Sequence, residues 1–114
     1  NGRQATAAIR EQYPFLGKST GLAEAITKFA EDGGYDEIVV EGDGLALGFC
    51  VSWSLIDAAD QTYRGKKWRV RLIEDCTRAI EFAEGDYARY IEDLKSHGIE
   101  IVQSADLLPK IATI

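Results

Sequence analysis

The segment Glu37-Ile38-Val39-Val40-Glu41-Gly42-Asp43-Gly44-Leu45-Ala46-Leu47-Gly48-Phe49-Cys50 runs from a β-branched stretch into glycine-rich chain and ends on a thiol. Its first part lacks apolar/polar alternation, the pattern of a strand buried on both faces, and Gly42-Asp43-Gly44 closes it. Beyond it, Cys50 to Asp60 spreads Val51, Trp53, Leu55, Ile56, Ala58 and Ala59 almost all round a helix, which suits one covered on more than one side. The spacing predicts a central parallel strand, a turn, and a helix whose first turn carries Cys50.

Working outward, Leu22, Ala25, Ile26, Phe29 and Ala30 recur at helical spacing, with Ser19 and Thr20 as caps and Gly33-Gly34 as a stop. A second strand follows at Trp68 to Ile73, ending in Glu74-Asp75. The clearest helical period places Tyr87, Tyr90, Ile91 and Leu94 on one face, and His97-Gly98 ends that helix. Ile99 to Val102 is a third strand, and Ser104 to Ile111 a short helix interrupted by Pro109. The first twenty residues give the weakest pattern, a helix over Ala5 to Gln12 and then the turn-like Tyr13-Pro14-Phe15-Leu16-Gly17. Strands alternating with helices at these lengths imply right-handed crossovers, a parallel sheet and helices on both faces: a Rossmann-like three-layer α/β/α fold.

A length of 114 residues suits one domain, and 46% hydrophobic with 28% charged residues excludes a disordered chain. Thirteen Lys plus Arg against 19 Asp plus Glu give a net charge of -6, so no basic stripe offers itself to nucleic acid or to an anionic membrane. No apolar run approaches the ~20 residues of a membrane span, and the first residues lack the apolar centre of a secretory signal. Cys50 and Cys76 therefore read as reduced thiols of a cytoplasmic protein. With one histidine, His97, and no Cys-x-x-Cys pair, a metal site within this chain is not expected.

In open parallel sheets ligands bind beyond the carboxyl ends of the strands, which directs attention to the chain after Val40 and Ile73. Gly42, Gly44 and Gly48 do not fit the dinucleotide spacing, and Gly48 is followed by Phe49 rather than the lysine of a phosphate loop. A nucleophilic thiolate is the third reading: at a helix N-terminus the free N–H groups and the positive dipole end favour it, and the same amides can bind an oxyanion. A small buried thiol is the competing reading, and position alone leaves both open.

Gly44-Leu45-Ala46-Leu47-Gly48-Phe49-Cys50-Val51, followed by Ser54-Leu55-Ile56-Asp57-Ala58, resembles the signature of nicotinamidases in the isochorismatase-like cysteine hydrolase superfamily. Lys18-Ser19-Thr20-Gly21-Leu22, Ile73-Glu74-Asp75-Cys76-Thr77-Arg78-Ala79 and Ser104-Ala105-Asp106-Leu107-Leu108 are similar to flanking segments of that family, so the resemblance runs from about Tyr13 to the end. It implies a hydrolase of NAD metabolism in which Cys50 attacks the carboxamide of nicotinamide, ammonia leaves, and water releases nicotinic acid from the thioester. It implies a cis peptide between Leu45 and Ala46 and an oxyanion hole formed by the N–H groups of Ala46 and Cys50. Tyr13 and Phe15 fall where the family borders its substrate pocket. Related amidases and isochorismatase share the scaffold, so another small amide or isochorismate is the alternative substrate, and a noncatalytic module of the same fold is the alternative role.

Two departures concern the loop: Gly48 stands where many members carry aspartate, and Glu41-Gly42-Asp43-Gly44 is longer than usual. A third concerns completeness. The family's catalytic aspartate and lysine, and the Asp and His ligands of a divalent metal such as zinc, lie well ahead of the cysteine, whereas no lysine here precedes Lys18. Residues 1–114 thus read as the C-terminal portion of an isochorismatase-like domain, to be completed by a missing N-terminal half or another subunit in a homo-oligomer, with no metal ligands of its own. Asp57 and Arg78 are expected in structural bonds, Cys76 as a packed thiol, and His97 as a solvated residue at a helix end.

Overall fold

The computed structural model describes residues 20–107. The expected helix at Ala5 to Gln12, together with Tyr13, Phe15 and the end of the terminal helix, lies outside them. The elements run α1 (Leu22–Asp32), β1 (Val39–Leu47), α2 (Cys50–Ala59), β2 (Thr62–Tyr63), β3 (Lys66–Lys67), β4 (Arg69–Ala79), α3 (Asp86–Ser96) and β5 (Glu100–Val102). Three strands form a parallel sheet in the order β1-β4-β5, and β2 pairs with β3 as an antiparallel hairpin. No helix among the described residues is long and apolar enough to cross a membrane.

Alternation along the strands sorts side chains to two faces. Val70 and Leu72 of β4 are buried, and Val40 of β1 and Ile101 of β5 pack against the same cluster. That cluster gathers Leu55 and Ile56 of α2, Leu94 of α3 and Ala30 of α1. All three helices therefore join one core on one face of the sheet. On the other face, Glu41, Arg71 and Glu100 stand side by side in register and form a charged ladder. Arg71 bonds Glu41 and Glu100 at 3.2 Å each, and Arg69 bonds Glu100 at 3.0 Å. The second helical layer of the expected sandwich is not among the described residues.

This changes the reading of β1. It was expected to be central and buried on both faces, yet among the described residues it is the edge strand, paired only with β4. Val39 and Leu45 are 40% and 79% exposed. The strand also continues through Gly42-Asp43-Gly44 instead of ending there. The glycines allow it to hug α2, since a Cβ on Gly42 would lie 2.7 Å from Leu55 Cδ2. Pairing with β4 is irregular here: Gly42 faces Leu72 but Gly44 faces Thr77, so β4 carries a bulge of extra residues opposite β1 between Leu72 and Thr77.

The remaining elements end where their residues require. His97 and Gly98 close α3, with Ile99 N–H returning to Leu94 O. At its start the buried Asp86 carboxylate accepts the N–H groups of Phe82 and Ala83 at 2.8 and 2.9 Å. The β2–β3 hairpin escaped the sequence reading because Arg64-Gly65 occupies its turn, with φ of 52° and 78°, where Asn-Gly or Asp-Gly gives the usual signal. Its Tyr63 is buried and donates its hydroxyl to Tyr35 O at 2.7 Å.

Candidate active site

The turn from β1 into α2 lies at the carboxyl end of the sheet, where this architecture binds ligands. Leu47 is fully buried and anchors the end of β1. Gly48 then takes φ +93°, Phe49 N–H closes a turn onto Ala46 O at 3.0 Å, and Cys50 begins the helix. Gly48 N–H donates to Ser52 Oγ at 2.7 Å, which ties the turn to the first turn of α2. The Phe49 ring meets Trp53 and Phe82 edge-on, each with centroids 6.0 Å apart, and Phe82 is 80% exposed. Cys50 is exposed and free, so it is not the packed core thiol that was the competing reading.

The Leu45–Ala46 peptide is trans, since the described residues contain no cis bond, and this corrects the expectation carried by the resemblance. Both residues lie within β1, which keeps its extended course up to Leu47. Cys76, expected to be packed, is exposed as well, because it sits in the bulge of β4. Arg78 bonds the backbone carbonyls of Thr77 and Asp75 at 2.8 and 3.3 Å, a structural role as expected. His97 is half-buried and 3.7 Å from Asp93 on its own helix. Since α3 runs back along the sheet, His97 lies at the end opposite Cys50 and cannot serve as its base.

Two carboxylates in the middle of β4, Glu74 and Asp75, are engaged in holding chain together. Asp75 accepts Ser104 N–H at 2.8 Å and the Ser104 hydroxyl, which fixes the short helix beginning there and keeps the Asp75 carboxyl below its usual range. Tyr87 donates its hydroxyl to Glu74, and Gln103 Nε2 donates to the other Glu74 oxygen at 2.7 Å. These donors, Tyr87 foremost, hold the Glu74 carboxyl below its ordinary value of 4.5. Burial, and then the Glu74 carboxylate, push the Tyr87 phenol from 10.0 up to about 12.

The two shifts act in opposite windows. A phenol raised on folding stabilises the fold fully below pH 10 and loses that contribution as pH rises through about 12. A depressed carboxyl contributes above its unfolded value, and the contribution is lost as pH falls through the lowered folded value. Glu74→Gln is expected to move the ultraviolet titration of Tyr87 part of the way back toward 10 and to weaken the acid-side loss of stability. A tyrosine titration unchanged from the parent protein contradicts the pairing.

A metal does not fit these residues. Among the described residues no group of three His, Cys, Asp or Glu is placed to hold one, and the carboxylates of Glu74 and Asp75 are turned to Tyr87, Gln103 and Ser104. A cavity of about 250 Å³ beneath α1 is lined by Ala23, Glu24, Thr27, Lys28, Glu31 and Gln61, none of which belongs to the Cys50 turn.

No protein-family model matches the sequence, and no curated protein matches it. Among solved structures, the chain is similar to a nicotinamidase/pyrazinamidase of Acinetobacter baumanii, with a TM-score of 0.55 and 27% identity over 81% of this chain. The fold is nicotinamidase-like. The match spans 39% of that chain, so well under half of the neighbour's length has a counterpart here. The neighbour supports a related amidohydrolase fold, and the parallel sheet with its flanking helices agrees with it.

Proposed function

We propose that this chain is the nucleophile-bearing part of a nicotinamidase-like cysteine amidohydrolase. The observation that carries the reading is the exposed Cys50 at the first residue of α2, directly beyond the sheet of a nicotinamidase-like fold. There the thiol can reach a bound carboxamide, and the helix N-terminus favours the oxyanion that follows attack. The Cys50 sulfur adds to the amide carbon, and the N–H group of Cys50 at the start of α2 receives the developing negative charge. Collapse expels ammonia and leaves a thioester. Water then adds to the thioester carbon and releases nicotinic acid and the thiol.

Proton transfer needs a partner that the described residues do not place at Cys50. Among the described residues the outer edge of β1 is unpaired and one sheet face carries no helix, which gives room for a further polypeptide segment, from the same protein or another subunit, to supply it. The same uncovered face favours a second reading, a noncatalytic module that binds a partner through the sheet. Ammonia release from nicotinamide, with an aliphatic amide and isochorismate as competing substrates, separates the two readings. Turnover of nicotinamide by the intact protein is expected; no turnover of any of the three sinks the enzymatic reading and leaves the module.

A further inference from the structure

We infer that Tyr90 positions the Cys50 turn from across the molecule, an inference that rests on Cys50 being the nucleophile. Gly48, two residues ahead of Cys50, has a left-handed backbone at φ +93° that strains any residue with a side chain. It also has no space for one. A Cβ on Gly48 would lie 2.5 to 2.7 Å from Cζ, Cε2 and Cε1 of Tyr90, so the phenolic end of that ring fills the place a side chain would take.

The ring is itself held. Tyr90 donates its hydroxyl to Ile80 O at 3.0 Å, and Ile80 N–H reaches back to Leu47 O at 3.5 Å. The chain of contacts therefore closes on itself: Leu47 to Ile80 at the end of β4, Ile80 to Tyr90 on α3, and Tyr90 onto Gly48. From the other side, Gly48 N–H is fixed on Ser52 Oγ, whose residue is 4% exposed. Gly48 is clamped between α2 and α3, and the clamp sets the direction in which the chain enters Cys50. Tyr90 is a positioning residue: it touches the turn, and the turn aims the thiol.

The test is residue-resolved alkylation by iodoacetamide, followed by peptide mass spectrometry, with the exposed Cys76 as internal reference in every sample. In the parent protein Cys50 is expected to react faster than Cys76. Tyr90→Ala should slow Cys50 by about tenfold and leave Cys76 within about twofold, while Tyr90→Phe, which keeps the ring over Gly48, should restore Cys50 to within about threefold of the parent. Circular dichroism establishes that each variant is folded, and Tyr90→Phe carries the test should Tyr90→Ala unfold. A folded Tyr90→Ala protein with an unchanged or faster Cys50, or an equal loss in both variants, overturns the positioning role alone. A parent Cys50 no more reactive than Cys76 overturns the nucleophile and its support together.

Discussion

Replacing Cys50 by alanine is expected to lower ammonia release from nicotinamide by at least about a thousandfold, while leaving thermal stability within about 0.5 kcal/mol of the parent. The two halves of this expectation come from one feature. Cys50 is exposed, so its sulfur contributes little packing, and its truncation leaves no cavity. The thioester route, by contrast, has no substitute once the sulfur is gone, and only binding and oxyanion stabilisation remain. Cys76→Ala is the matched control: it removes the other exposed thiol, from the β4 bulge, and should leave the rate within about twofold. Equal rates for Cys50→Ala and the parent would remove Cys50 from the chemistry.

The largest effect on stability is expected at Leu72. Its side chain is fully buried in the middle strand of the sheet, with Gly42 on one neighbouring strand and Ile101 on the other in register. Leu72→Ala removes buried methyl groups and leaves a cavity that two paired strands cannot easily close, a cost of about 3 kcal/mol. Small domains are stable by only about 5–15 kcal/mol, and the described residues place one helical layer over the sheet, so the variant should lie close to unfolding. In thermal unfolding the midpoint should fall by roughly 10–20 °C. A fall of a degree or two would mean that the sheet is not the centre of the core.

Much of this architecture was legible because local pattern and burial agree. The period of Tyr87, Tyr90, Ile91 and Leu94, stopped by His97-Gly98, marks α3 closely, and Cys50 is the first residue of α2 as the apolar run implied. The β-branched run at Val39-Val40 marked a strand but not its place in the sheet. Lack of alternation reads as burial on both faces, yet Val39 and Glu41 face the side that has no helical layer among the described residues. Nor could pattern show that β1 passes through Gly42-Asp43-Gly44, since glycine ordinarily breaks a strand. Here it is tolerated because Leu55 and Val51 of α2 lie against it.

At the site, the position of Cys50 was legible and its surroundings were not. Tyr90 reads as one more apolar residue on a helix face, and nothing in its spacing from Gly48 announces that the two meet. The left-handed Gly48 was the available signal, since a glycine just ahead of a helix marks a position where backbone conformation or crowding excludes a side chain. Asp75, part of a segment on which the sequence resemblance rested, proves to hold Ser104 at the start of the short helix beginning there.

Peptide mapping of the intact protein, quenched in acid during incubation with nicotinamide, is the most direct test of Cys50 as the nucleophile. A nicotinoyl thioester on the peptide that contains Cys50, absent from Cys50→Ala, is expected. Turnover of nicotinamide with Cys50 unmodified, or with acylation confined to Cys76, would contradict it.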